Sequence, residues 1–472
     1  MSTASEHGVH LATPEQLDAA ARAVLTGIAG PDATPRADQR AAAAALACDG
    51  RRALVVQATG WGKSAVYWMA TRALRDAGSG PTLVVSPLLA LMRNQVDAAG
   101  RSGLRAATLN SSNFSDWEAI QADLAGGDLD VLLTSPERLA NPRFAAEVLP
   151  WLLPRLGMLV IDEAHCISSW GHDFRPDYRR IASLLAQRPE LPVLATTATA
   201  NSRVTDDVAR QLGEGTLVLR GTLARQSLHL SVLPRMGLVE AYAWVDEHLP
   251  LLPGSGIVYT ATVKQSNDLA AYLSSRGHDV RAYNGQLDTA ARQAIEAELK
   301  DNRIKAVVAT SALGMGYDKP DLGFVVHVGS PGSPVDYYQQ VGRAGRALDT
   351  AQVVLIPTPA DDGIWRYFAT ASIPREEEAH SVIDVLAASE SAMSVPQLTV
   401  ATGVRDSRLD LLVKVLAVDG AVRRTTAGWE ATGQPWTYDA AGYAALLAAR
   451  EREADLMRAY ARSERCLDSV LR

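Results

Sequence analysis

Three short segments carry side chains whose types and spacing suit them to work on phosphates. Gln57-Ala58-Thr59-Gly60-Trp61-Gly62-Lys63-Ser64 follows the apolar run Ala53–Val56 and leads into a helix-forming stretch near Ala65. Glycines there let a loop curl until its N–H groups converge on phosphate oxygens, and the following helix N-terminus adds partial positive charge. In such a loop Thr59, Gly60 and Gly62 shape the cradle, Lys63 reaches the β- and γ-phosphates and Ser64 ligates Mg²⁺. Gln57 stands where the strict pattern has glycine. A second apolar run, Met158–Ile161, delivers Asp162-Glu163-Ala164-His165 at its carboxyl end, where ligands collect in open α/β sheets. Asp162 is placed to hold Mg²⁺, and Glu163 to orient and deprotonate an attacking water. The third segment, Gln339-Gln340-Val341-Gly342-Arg343-Ala344-Gly345-Arg346, presents Arg343 and Arg346 three apart, on one face if helical. Their guanidinium groups suit charge neutralisation at a γ-phosphate. Each segment alone has a plainer reading: a surface loop, a solvated acidic pair, an arginine-bearing face. Together they read as nucleoside-triphosphate hydrolysis.

Directly after the paired carboxylates, Trp170, His172, Phe174 and Arg175 interleave aromatic and basic groups in a chain with only 5 Phe and 9 Trp. Unpaired bases stacking on such side chains contribute about 1–3 kcal/mol each, with little regard to sequence. The competing reading is that Trp170 and Phe174 plug a domain core. Phosphate contacts that read no sequence are expected from Ser86, Arg93, Asn110, Ser135, Arg138, Gly285 and Thr310.

These residues need rigid elements to carry them. Thr13-Pro14-Glu15-Gln16 has the signature of a capped helix start, and Gly30-Pro31 ends that helix. From there to about Arg220, the apolar runs Ala53–Val56, Thr82–Val85, Val131–Thr134, Met158–Ile161 and Val193–Thr196 alternate with helix-like stretches. A second series repeats the scheme through Gly256–Tyr259, Val280–Tyr283, Ala306–Ala309, Phe324–His327 and Val353–Ile356. Short continuous apolar runs of this kind predict parallel sheets covered on both faces. The fold class is therefore α/β, with two such domains in tandem.

Past Phe368 the texture changes. Glu376–Ala388 reads as a helix, a short one opens at Ser394 and stops at Gly403, and Asp406–Val418 forms another with Leu409, Leu412, Val413 and Leu416 facing inward. Ala421–Thr425 and Trp429–Thr432 flank the turn residues Ala427-Gly428 as a hairpin. Helix, helix-turn-helix and hairpin describe a small winged helix. Its hairpin offers Arg423 and Arg424 to phosphates, while Trp429 either stacks on a base pair or packs onto Leu412 and Leu416. A long Ala- and Arg-rich helix runs from Asp439 towards Arg462. The expected domains are residues 1–34 (N-terminal helical segment), 35–222 and 223–370 (the two sheet domains), 371–435 (connecting helix and winged helix) and 436–472 (C-terminal helical segment).

Composition bounds the partners. The 472 residues are 47% hydrophobic and 21% charged, as in ordinary globular chains. With 46 Lys+Arg against 53 Asp+Glu the net charge is −7, which excludes a generally basic surface, so any nucleic-acid site must be a local groove. Arginines number 40 of the 46 basic residues, a bias that carries no functional weight by itself. No apolar run approaches a membrane span and residues 1–10 lack the regions of a secretory signal, so a cytoplasmic, nucleoid-associated protein is expected. The three cysteines, Cys48, Cys166 and Cys466, lie too far apart for a disulfide framework or a complete four-cysteine zinc site, and zinc is not expected.

Taken in order, Arg36…Gln39, Ala58–Ser64, Ser86-Pro87-Leu88-Leu89-Ala90-Leu91-Met92, Ser135-Pro136-Glu137-Arg138-Leu139, Asp162–His165, Thr197-Ala198-Thr199-Ala200, Ala309-Thr310…Gly314–Pro320 and Gln339–Arg346 resemble the motifs of a superfamily-two helicase. More narrowly, His165-Cys166-Ile167-Ser168-Ser169-Trp170-Gly171-His172-Asp173-Phe174-Arg175-Pro176 is similar to the aromatic-rich loop of the RecQ family of DNA helicases. The resemblance spans about Pro35 to Phe368. It implies RecA-like sheet domains, ATP and Mg²⁺ as cofactors, and 3′-to-5′ translocation on single-stranded DNA with tailed duplexes as substrates. It further implies that Gln39 reads the adenine with Arg36 also in the ATP site, that Asp318 approaches the ribose or the motif that bridges ATP and DNA, and that Gln339, Arg343 and Arg346 complete the ATPase centre of Lys63, Ser64, Asp162 and Glu163. His165, Thr197 and Thr199 would couple nucleotide state to DNA. A monomer is favoured. Competing readings are an RNA helicase or non-unwinding translocase, and a winged-helix DNA-binding scaffold with a degenerate ATPase. The chain departs from the family's usual order: the winged-helix-like segment comes before Tyr460–Cys466, which resembles the start of the family's zinc module. A natural protein continuing past residue 472 is the expectation that follows.

Overall fold

The computed structural model describes residues 9–87, 89–109, 117–139, 141–167, 179–198, 202–221, 227–313, 317, 319–371, 373–463 and 467. The first sheet contains β1 (Arg52–Val56), β2 (Thr82–Val85), β3 (Ala106–Leu109), β4 (Val131–Thr134), β5 (Met158–Ile161), β6 (Val193–Thr197) and β7 (Leu217–Arg220). Its order is β3-β4-β2-β5-β6-β1-β7, with every pair parallel. The second sheet contains β8 (Leu228–Val232), β9 (Ser255–Thr260), β10 (Val280–Tyr283), β11 (Ala306–Ala309), β12 (Leu322–Val328) and β13 (Ala351–Ile356). It is likewise parallel, in the order β10-β11-β9-β12-β13-β8.

Alternation along each strand feeds two cores per sheet. On β1, Leu54 and Val56 enter one apolar cluster with Leu83, Leu132 and Ile161, whereas Ala53 and Val55 enter another with Val84, Leu133 and Val160. In the second sheet Ile257, Val307 and Val325 face one core, and Val258, Val308 and Val326 the other. Because both faces are buried, polar positions are few in the central strands and the runs read as mostly apolar. Three strands absent from the sequence expectation, β3, β7 and β8, all lie at sheet edges. There burial alternates or is only partial, so no apolar run marks them.

The N-terminal helix Pro14–Ala29 starts as expected: the Thr13 N–H donates to Gln16 Oε1 at 2.8 Å and the Gln16 N–H to Thr13 Oγ1 at 3.3 Å. Its Leu17, Ala20 and Val24 join the core that holds Val66, Tyr67 and Ala70. Past the sheets, helices Glu376–Ala388, Val395–Thr402 and Asp406–Val418 enclose a separate core with the antiparallel pair β14 (Val422–Arg424) and β15 (Trp429–Ala431). Trp429 also bridges to Met393, which crosses the hairpin as a third short edge. Gly428, at φ 148°, lies so close to this crossing that a Cβ would stand 2.5 Å from the Met393 carbonyl oxygen.

By internal contacts the chain forms two compact units. One comprises Met1–Gln57, Trp61–Gly221 and Ser372–Gly442; the other comprises Ala58–Gly60, Thr222–Ala371 and Tyr443–Arg472. The long C-terminal helix, Ala440–Ala461, thus falls mainly with the second sheet.

Candidate nucleotide site and nucleic-acid face

β1 ends at Val56, the loop turns through Gly60 (φ 83°) and Gly62 (φ 94°), and helix Lys63–Asp76 begins immediately. Both glycines sit in left-handed backbone, which side-chain-bearing residues avoid. Gly62 is further pinned by Gln39, whose Nε2 donates to the carbonyls of Trp61 (3.3 Å) and Gly62 (3.1 Å). Gln39 Oε1 accepts the Arg36 N–H at 2.9 Å, and Arg36 itself is exposed. The two residues expected at the adenine therefore stand beside the loop, with the Gln39 amide bracing it. Lys63 Nζ donates to the Gln57 carbonyl at 2.8 Å across the loop's base. Gln57 is buried, donates to Asp38 Oδ2 at 3.2 Å and packs against Gly221, which has no side chain to contest the space. That accounts for a bulky residue where the strict motif has glycine.

Asp162 lies at the end of β5 and is fully enclosed. Its Oδ1 accepts from Thr196 Oγ1 (2.7 Å) and the Glu163 N–H (3.1 Å); its Oδ2 accepts from Ser86 Oγ (3.3 Å) and Gln95 Nε2 (3.4 Å). Burial and the neighbouring Glu163 charge raise its pKa, opposed by the Thr196 bond and Lys63. A buried carboxylate held against its own charge suits a divalent cation, and with the Ser64 hydroxyl at the head of helix Lys63–Asp76 it supplies the hard oxygen donors that Mg²⁺ prefers. Among the described residues no cluster of three or more His, Cys, Asp or Glu could hold a metal ion by itself. Cys466 lies outside the described residues.

Glu163 follows with φ 52°, one of two positive-φ residues other than glycine among those described. This backbone costs an L-residue on the order of 1 kcal/mol and clusters at functional sites. His165, 1% exposed, sits with Nδ1 3.3 Å from Glu163 Oε2 and 3.0 Å from Thr197 Oγ1. The proposed base is thus tied through one imidazole to the end of β6. Thr199 lies outside the described residues.

In the second unit, helix Pro334–Val341 carries Gln339, but it ends before either arginine. Arg343 and Arg346 therefore do not share a helical face. They occupy the turn that follows, because Gly342 closes the helix and Gly345 (φ 64°) packs so tightly that a Cβ would lie 2.9 Å from the Ala351 Cβ. Arg343 is buried with Nη1 donating to the Tyr317 carbonyl at 2.9 Å; Arg346 is half-buried, its Nε donating to the Gly342 carbonyl at 3.4 Å. Asp318 lies outside the described residues.

Of the residues expected to touch nucleic acid, Asn110, Trp170, His172, Phe174 and Arg175 lie outside the described residues, as does the side chain of Arg93. Ser86 is fully buried with its hydroxyl on Asp162, so any strand contact there falls to backbone. Gly285 is exposed just past β10, and Thr310 ends β11, its N–H on the Tyr283 carbonyl at 3.1 Å. Ser135 caps the turn into Arg138, whose guanidinium lies 4.9 Å over the Trp117 ring. Burial lowers the Arg138 pKa, and the charge of Arg424 lowers it further, so the hairpin arginine lies within electrostatic range of the first sheet domain. Arg423 pairs with Glu430 at 2.7 Å. Arg424 stands 5.7 Å over the ring of Trp429, which is buried against the cluster of Leu412 and Leu416. Of the two readings of Trp429, the packed one holds. Sequence reasoning passed over Thr196 and Gln95, both on Asp162; their signal was position, one at the end of β6 and the other on the helix that follows β2.

Residues 36–208 match the DEAD/DEAH box helicase family, and residues 242–348 match the helicase conserved C-terminal domain. The chain thus carries a DEAD/DEAH box helicase segment followed by a helicase conserved C-terminal domain, and in sequence it is similar to RecQ helicases. It is 36% identical over 318 residues to the ATP-dependent DNA helicase RecQ of Pasteurella multocida (66% of this chain, 48% of that protein). To the RecQ of Haemophilus influenzae it is 35% identical over 347 residues (72% and 54%). The chain thus spans about half the length of these curated relatives. Solved structures share the fold: the DUF1998 helicase MrfA bound to DNA (TM-score 0.61, 18% identity, 92% of this chain and 64% of that one) and Mycobacterium smegmatis Lhr bound to single-stranded DNA and AMP-PNP (0.58, 20%, 90% and 61%). No described helix is long and apolar enough to cross a membrane.

Proposed function

We propose that this helicase-family chain is an ATP-dependent DNA helicase that moves 3′ to 5′ along single-stranded DNA and opens tailed duplexes, acting as a monomer on nucleoid DNA. The observation that carries the reading is the enclosed Asp162, gathered by four donors beside the Glu163–His165–Thr197 linkage. A degenerate ATPase has no need to keep a buried carboxylate and a strained glutamate.

In this reading ATP would lie on the Gly60–Ser64 loop, and Ser64 and Asp162 would hold a Mg²⁺ ion that would supply charge stabilisation for phosphoryl transfer. Glu163 takes the proton of the attacking water, and His165 holds the Glu163 carboxylate in place while relating it to Thr197. Arg343 and Arg346 meet the γ-phosphate, Gln339 orients beside them, and Gln39, Arg36 and Asp318 address the nucleoside. Residues 371–435 form a winged helix. Its Arg424, with Arg138, meets duplex phosphates, and the 168–178 segment stacks unpaired bases.

The test is unwinding of 3′-tailed and 5′-tailed DNA duplexes with ATP and Mg²⁺, alongside ATPase stimulation by single-stranded DNA and RNA. The 3′-tailed duplex should open and DNA should stimulate more strongly. Glu163→Gln should lose hydrolysis by about 100-fold while still binding nucleotide. Opening of only the 5′-tailed substrate, or stimulation by RNA alone, would overturn the polarity or the DNA reading respectively.

A further inference from the structure

The helix Ala440–Ala461 lies beyond the segments matched by the helicase families, the second of which ends at residue 348. Within the second unit it is nonetheless part of the sheet domain. Ala454, Met457 and Tyr460 enter the same apolar core as Tyr337, Val341 and Ala344, the residues around the start of the arginine turn. The helix is secured along its length. Arg450 Nη1 donates to the Ala369 carbonyl at 2.6 Å; Arg458 pairs with Asp362 at 2.7 Å and lies 5.1 Å over the Trp365 ring.

From Tyr460 a line of rings runs inward. Its side chain is 1% exposed, its ring centroid lies 5.1 Å from that of Tyr337, and the two hydroxyls are 3.4 Å apart. Tyr337 tilts against His327 at 5.0 Å, and His327 stacks on Tyr259 at 5.2 Å and 20° between planes. His327 Nε2 shares a 2.7 Å hydrogen bond with Gln340 Oε1, so the imidazole grips the helix of Gln339 two residues before Gly342. At the inner end the Tyr259 hydroxyl donates to the Leu313 carbonyl at 2.9 Å. Arg343 and Arg346 both act on Tyr259 electrostatically, against the burial that raises its pKa. Gly345 of the arginine turn packs on Ala351 and Ser227, and the ring line reaches the turn's arginines through Tyr259.

We propose that Tyr460 is a positioning residue for Arg343 and Arg346: by filling the core behind Tyr337, the appended helix fixes where the Gly342–Arg346 turn presents its guanidinium groups. The inference rests on the proposed role of those arginines at the γ-phosphate. Close packing makes the coupling mechanical, because a removed ring leaves Tyr337 and His327 free to re-pack. Displacement of a catalytic group by about 1 Å is enough to cost on the order of 100-fold in rate.

The experiment uses the full chain and reads kcat and KM for ATP with saturating single-stranded DNA, well below each variant's unfolding midpoint. Tyr460→Ala should lower kcat by about 10-fold with KM for ATP within about twofold, and Tyr460→Phe, which keeps the ring, should restore turnover to within about twofold. Adding Tyr460→Ala to Arg346→Ala should cost less than Tyr460→Ala does alone, since part of the effect runs through Arg346. Should Tyr460→Ala fail to fold, Tyr460→Leu, which fills most of the same space, is read in its place. Unchanged kcat in the folded variant, or a loss that multiplies with Arg346→Ala, overturns the proposal. Normal turnover in Arg346→Ala removes the arginine role and the inference together, whereas a dead Arg346→Ala beside an unaffected Tyr460→Ala removes the inference alone.

Discussion

Asp162 accepts four hydrogen bonds from groups that come from three different strands' ends and one helix, a local solution to keeping a charge buried at the proposed cation site. Until that cation arrives the charge opposes folding, since burial raises the Asp162 pKa and the stability of the empty protein is lost as pH rises through the raised value. Asp162→Asn should therefore retain thermal stability within about 1 kcal/mol or gain it. The Gln95 amide can turn to offer its Oε1, which has no hydrogen-bond partner among the described residues, to the new Nδ2. Mg²⁺-dependent ATPase activity should disappear in the same variant; thermal unfolding and phosphate release measure the two effects, and a large drop in midpoint would contradict the account. The residues proposed to do chemistry were legible because their types are rare combinations: Gly-Lys-Ser after a strand, two acids at a strand end. Gln95 and Thr196 were not, because a glutamine on a helix and a threonine at the end of a strand look ordinary until the fold puts them on one carboxylate.

Elements were legible in proportion to how deeply they are buried. Central strands such as β5 and β12 present uninterrupted apolar faces to two cores, whereas the edges β3, β7 and β8 expose one side and lose the pattern. The arginine turn was misjudged because two glycines end a helix that periodicity alone would continue. In the hairpin, Trp429 anchors the small helical domain, so Trp429→Ala should cost it about 3–5 kcal/mol, seen as a lowered unfolding midpoint. Replacing Arg423 and Arg424 by alanine should leave that midpoint in place, since one pairs with a half-exposed glutamate and the other only overlies the indole. Unwinding should fall and lose part of its salt dependence, since two phosphate contacts go, with single-strand-stimulated ATPase near normal; unchanged unwinding would reduce the hairpin to a brace. His327, between two tyrosines, gives the second sheet domain an acid limit. Burial lowers its pKa to about 4 from an ordinary 6.5, so the unfolded chain binds more protons between those values and stability declines as pH falls through them. The decline is on the order of 3 kcal/mol across that window. Urea unfolding against pH should show it, and His327→Gln should flatten it.

For the molecule as a whole, a net charge of −7 means that affinity for DNA cannot come from a diffuse positive field. Binding to single strands should therefore show the modest salt dependence of a few local contacts. For about five phosphates the slope of log K against log salt is about −3.5, measurable by fluorescence anisotropy of a labelled oligonucleotide. A slope near zero would mean that stacking alone holds the strand, and one twice as steep would require a basic surface the composition does not supply. The two-sheet architecture was readable from the doubled series of apolar runs, but the allegiance of the last helix was not, because small alanines and scattered arginines hide which face is buried. The left-handed Glu163 has a consequence over evolutionary time. Glycine at this position would relieve the backbone, so Glu163→Gly should melt higher than Glu163→Gln while both are inactive. Descendants of this fold that no longer need to hydrolyse nucleotide would be rewarded for shedding this glutamate first, and its retention in a lineage becomes a record that turnover is still under selection.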